Sequence, residues 1–178
     1  MTADYGKKIS MALLAVRQLH SDTSKLLVDF DKKRYAQGWY SVFENVATRD
    51  LTYNVNAEHW MAQGVYRYYA NDANPGLVEA LTACFFDDRI DEPILLAAQI
   101  QYQLAANKPV KDLCQAWDAW DLFFEPPGER KRLSEVHICR KFWRDTVQWG
   151  KVLVVPLYSI TRLEDADQMV QKVAQAAV

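Results

Sequence analysis

The stretch MAQGVYRYYANDANPGLVEALTACFFDDRIDEPILLAAQIQYQ, residues 61–103, decides how this chain folds. Three apolar segments, 61–70, 77–86 and 94–103, are separated by two runs of turn residues. In Asn71-Asp72-Ala73-Asn74-Pro75-Gly76 the Asx side chains bond nearby amides, Pro75 fixes φ and Gly76 tolerates positive φ. In Asp87-Asp88-Arg89-Ile90-Asp91-Glu92-Pro93 the charges resist burial and Pro93 removes a ladder donor. Both runs therefore read as hairpin connections.

The segments between them have the side-chain period of strands. Leu96, Ala98, Ile100 and Tyr102 share one face of 94–103, while Leu95, Ala97, Gln99, Gln101 and Gln103 share the other, which turns polar towards its end. One core-facing side is expected. In 61–70, Val65, Arg67 and Tyr69 alternate with Tyr66 and Tyr68, a composition suited to a pleated, half-buried surface. The same segment also carries helical spacing at Trp60, Gly64, Arg67 and Tyr68; strand is favoured because Gly64 weakens a helix interior and turn residues follow directly.

Working outward, Ile9, Leu13, Val16, Leu19, Leu26, Leu27 and Phe30 return every three or four residues and mark a long amphipathic helix. His20 and Ser21-Asp22-Thr23 either lie on its solvent side or cap a second helix, and Gly38 closes it. The interval 39–58 has room for one or two short strands. Beyond the meander, Asn107 and Pro109 predict a helix start, with Val110, Leu113, Trp117, Trp120 and Phe124 as its stripe and Pro126-Pro127-Gly128 as its end. Residues 129–149 carry both periods: Val136, Ile138, Arg140 and Phe142 alternate, while Leu133, Val136, Arg140, Trp143 and Val147 recur helically. A strand over 134–139 running into a short helix is the expectation. A late strand over 152–160 is placed at an edge or bulge by Pro156. Thr161 and Glu164 have capping-box spacing ahead of a closing helix with Leu163, Ala166, Met169, Val170 and Val173 on its apolar face. Together these predict one α+β domain over 1–178: an antiparallel meander at 61–103 and a late strand at 152–160, packed against N-terminal, middle and C-terminal helices.

Composition bounds the function. Half of the 178 residues are hydrophobic, enough for a core without staples. A formal charge of −2 excludes a globally basic nucleic-acid binder. Cys84, Cys114 and Cys139 are odd in number and widely spaced, matching neither a disulfide framework nor a zinc site, so reduced thiols in a soluble cytoplasmic protein are expected. The first apolar stretch is broken by Arg17, Gln18 and His20 and reads as neither signal peptide nor membrane span. No cofactor or nucleotide motif is present, and the oligomeric state is not legible.

The most distinctive local chemistry is the basic and aromatic run Arg130, Lys131, Arg132, Arg140, Lys141, Trp143 and Arg144, with Phe142 interleaved. Guanidinium and ammonium groups pair with carboxylate or phosphate, and an aromatic ring anchors an interface or stacks on a base. Glu129, Glu135 and Asp145 dilute it. The acids Asp87, Asp88, Asp91 and Glu92 are oxygen donors suited to a hard cation, without the spacing or glycine of an EF-hand loop. His59 beside Glu58, His20, and His137 near Cys139 supply general-base or nucleophile ingredients with no third, orienting group. Trp117, Trp120, Tyr66, Tyr68 and Tyr69 read as a surplus available to a partner. The balance favours a non-catalytic accessory or adaptor domain that binds another protein in an intracellular assembly. The alternatives are a nucleic-acid-binding accessory protein using the 130–144 patch and a small metal-dependent enzyme using the 87–92 acids.

Overall fold

The computed structural model describes residues 3–43, 48–49, 62–104, 108–124, 131–140 and 144–178. The chain runs α1 (Ala3–Ala36), β1 (Tyr40–Ser41), β2 (Thr48–Arg49), β3 (Gly64–Ala70), β4 (Leu77–Cys84), β5 (Ile94–Tyr102), a 3-10 turn at Val110–Asp112, α2 (Asp118–Phe124), β6 (Val136–Cys139), β7 (Val147–Pro156), a second 3-10 turn at Leu157–Ser159 and α3 (Leu163–Gln175). Every strand pairing is antiparallel, in the order β1-β3-β4-β5-β7-β6, with β2 also paired to β3. This is the expected α+β domain with its meander at the centre.

Both hairpin connections form. Asn71 Oδ1 accepts from the Ala73 amide at 2.7 Å, and Gly76 takes φ +83°, where an added Cβ would stand 2.6 Å from the Tyr102 carbonyl oxygen. Gly64 serves a different purpose: a Cβ there would meet the Trp120 ring at 2.5 Å, so the missing side chain lets the indole lie against the strand.

The sheet is covered on both sides, which corrects the expectation of a single core face. Towards α2, Tyr68, Ala80, Leu96, Ile100, Val152 and Val154 pack with Val110, Leu113, Trp120 and Leu122. Towards α1 and α3, Tyr69, Leu81, Leu95, Ala97 and Leu153 pack with Leu27, Phe30, Met169, Val170 and Val173. Burial of each such side chain contributes about 1.5–3 kcal/mol, so two apolar layers make the meander the rigid centre of the molecule. Of its buried polar residues, Gln99 donates to Glu79 at 3.0 Å, and Glu79 also pairs with Arg34 on α1.

Four local expectations are corrected. The middle helix does not start near 109. Val110–Asp112 is a 3-10 turn, and the α-helix begins at Asp118, whose carboxylate accepts the Gln115 amide and holds the intervening backbone out of helix; Asn107 lies outside the described residues. No helix precedes Trp149 within the described part of 140–149, because Val147 and Trp149 already ladder with Tyr102 and Gln101. β7 is interior, between β5 and β6; Pro156 is tolerated as its last residue, where β6 no longer reaches. The cap of α3 sits one residue later than the Thr161 and Glu164 spacing implied: Asp165 accepts the amides of Thr161 and Arg162 at 3.0 and 3.2 Å.

Candidate functional site

Among the described residues the basic run does not converge on one surface. Arg130, Lys141 and Trp143 lie outside the described residues. Arg144 is turned inward: its guanidinium donates to Asp118 Oδ1 and to the Leu113 carbonyl, each at 2.5 Å, and Asp118 is fully buried. That corrects its assignment as a surface contact, since a buried carboxylate needs a partner and Arg144 supplies it. Lys131 donates its ammonium to the Leu122 carbonyl at the end of α2. Only Arg132, 3.7 Å from Glu135, and Arg140 remain exposed from the run among the described residues.

The inward cluster ties the 113–119 turn to the sheet. Tyr102 donates to Asp118 Oδ2 at 2.5 Å, and Tyr68 donates to the Ala116 carbonyl while accepting the Ala119 amide. Burial pushes the neighbouring Cys114 thiol up to about 12, so it carries no thiolate near neutral pH. These bonds fix the 113–119 turn on the sheet.

The other candidates are also absorbed locally. Asp87 pairs with Arg89 through two hydrogen bonds of 2.7 and 2.8 Å and accepts from Gln63, while Arg89 lies 3.9 Å over the Phe124 ring. Among the described residues no three His, Cys, Asp or Glu side chains gather as metal ligands. His20 stacks on Phe85, His137 bonds the Arg132 carbonyl oxygen at 2.7 Å, and His59 is outside the described residues. The aromatic surplus is core, a further correction: Trp120, Tyr66, Tyr68 and Tyr69 are buried and only Trp117 is partly open. Two covered sheet faces consume more rings than the one face read from the sequence.

Most of the exposed large apolar side chains before the meander lie on α1. Its C-terminal half is pinned to the sheet by charge as well as by packing. Asp31 accepts from the Tyr69 hydroxyl at 2.6 Å and pairs with Arg67 at 2.9 Å; Arg34 pairs with Glu79 at 3.0 Å and stacks over Phe30. Lys33 reaches Asp167 on α3 at 2.9 Å. Burial raises the Glu79 carboxyl above its ordinary range, opposed by Arg34 and Gln99.

Among the described residues the N-terminal half has no such cover. From Asp4 to Ala15 every residue of α1 is exposed, including Tyr5 at 54%, Ile9 at 42% and Leu13 at 62%. The cause is length. A helix of 34 residues spans about 51 Å at 1.5 Å per residue, whereas the nine-residue β5 spans about 30 Å, so the helix overhangs the sheet. Where the arm meets the domain, a groove of about 710 Å³ opens between α1 and the 157–163 segment, lined by Leu19, Asp22, Leu26, Leu157, Tyr158 and Ile160 among others. The signal that would have found this arm was the apolar stripe itself, which runs for more turns than any predicted strand could cover.

No family model, curated protein or solved structure matches this chain. No helix among the described residues is long and apolar enough to cross a membrane.

Proposed function

We propose that this chain is a non-catalytic accessory domain that works by binding protein in an intracellular, cytoplasmic assembly, and that its docking element is the helical arm 3–18. The observation that carries this reading is the row of exposed apolar side chains Tyr5, Ile9 and Leu13 on the arm, flanked by Lys8 and Arg17, with Met11 and Leu14 also exposed on the opposite side of the helix. An apolar strip rimmed by charge is the usual form of a protein-binding surface. The inward polar groups support the same reading, because Arg144, Asp118, Tyr102 and Tyr68 are engaged with one another and with the 113–119 backbone.

The nucleic-acid alternative rests on Arg132 and Arg140 and loses Arg144 to Asp118. The test is capture of partners from the native cell, with nuclease-treated controls, by wild type and by an Ile9→Ser, Leu13→Ser variant. Loss of the captured protein by the folded variant, and its rebinding to wild type in purified form, is the expected result. An identical captured set overturns the assignment of the arm.

A further inference from the structure

Resting on that reading of the arm, we infer that its first partner is a second copy of this chain, paired with it antiparallel about a two-fold axis near Leu14. Three features of α1 point there. Tyr5, Ile9, Ala12, Val16, Leu19, Thr23, Leu26 and Phe30 are spaced alternately by four and three residues, an unbroken heptad seam. Its lower end is the interface already made within the domain, where Thr23 and Phe30 are buried and Leu19 and Leu26 pack against the core. The upper end presents the same seam with nothing on it.

The second feature is charge. In an antiparallel pair that opposes Ile9 to Leu19 and Ala12 to Val16, the flanking position of Lys8 on one copy faces that of Asp22 on the other, and symmetry repeats the pair at the far end. Leu13 faces its own copy near the axis. Lys8 now pairs with Asp4 at 3.0 Å with both side chains largely exposed, a contact that exchanges at little cost.

The third is the groove. In this register the two arms overlap only over residues 10–18, about 14 Å, short for a stable association on their own. The antiparallel register carries the Tyr5 end of each arm onto Leu19, Asp22 and Leu26 of the other copy, which are the α1 wall of the groove. Tyr5 and Ile9 thus gain Leu157, Tyr158 and Ile160 as a floor, moving the contact towards the ~800 Å² per partner of a standard interface. The surface is self-complementary, as a closed two-fold contact requires.

Sedimentation equilibrium of the purified chain over a micromolar range tests this directly. The expected species is a dimer that Leu13→Glu converts to monomer without change in the far-ultraviolet dichroism of the dilute protein. Lys8→Asp or Asp22→Lys each weakens the dimer about tenfold or more, and the two together restore it. A dimer indifferent to Leu13→Glu, or one that the double charge swap fails to restore, overturns the pairing. A monomeric wild type overturns it too. In that case the captured protein decides the wider reading: its loss by the arm variant keeps the interaction domain, and its retention removes both.

Discussion

The two halves of α1 belong to one helix and one apolar seam, yet they are held by different means. Residues 19–36 lie on the sheet with Leu27 and Phe30 buried and with Asp31 and Arg34 committed to Arg67, Tyr69 and Glu79. Residues 3–18 extend the helix with hardly a buried side chain. Apolar periodicity alone therefore does not say which part of a helix is core. The buried ion pairs do: they occur where the helix is fixed in rotation and register, and they stop where it leaves the sheet. Such pairs contribute little net stability, because desolvation offsets their attraction, but breaking one leaves a costly lone charge.

The largest expected effect follows from that asymmetry. Asp31→Ala removes a charge partner of Arg67 and deprives the buried Tyr69 hydroxyl of its acceptor, so it should destabilise the domain by about 1–3 kcal/mol in a denaturant titration. A loss under 1 kcal/mol would mean that the pinned half is held by packing alone.

Glu79 refines the comparison through pH. Its folded carboxyl is raised above the unfolded value by burial, so the native state holds that proton more tightly. Its contribution is fully present below the ordinary carboxylate range and is lost as pH rises through the raised value. Glu79→Gln should flatten the pH dependence of unfolding in that mildly acidic window. An unaltered slope would show that Arg34 and Gln99 together cancel the desolvation.

On the arm, Ile9→Ser should change the stability of the dilute protomer by no more than ~0.5 kcal/mol, since the side chain is already exposed. A large loss would show that residues 3–18 pack on their own domain. Hydrogen exchange sharpens the contrast with no substitution at all. Amides of 3–18 should exchange faster as the protein is diluted, while those of 24–36 keep the protection of the global fold. Equal protection along the whole helix at every concentration would erase the distinction between the halves.

The meander and the flanking helices were legible because their evidence is local. Alternation in 94–103, Asx and glycine chemistry at 71–76 and a stripe after Leu163 all lie within a few residues of the structure they produce. The candidate site was not legible for the opposite reason. Whether Arg144 faces solvent depends on Asp118, 26 positions away, and whether Tyr69 is surplus depends on α1 covering a second face. The middle helix was overextended because the Val110 to Phe124 spacing reports burial correctly and backbone conformation wrongly: Val110, Leu113 and Trp120 are core residues on a turn and a short helix. The arm was visible as periodicity and hidden as function, since only the length of the sheet reveals where cover ends.

Lys151 sets the register in which α3 closes over the sheet. It is buried in β7, and its ammonium donates to the carbonyls of Ala174 and Ala176 at the far end of α3, 3.3 and 3.0 Å away. Docking α3 takes that charge out of water and supplies its acceptors in the same step. A helix slipped along the strand would bury the amine without them, so the end of α3 is held to one position by a single charge.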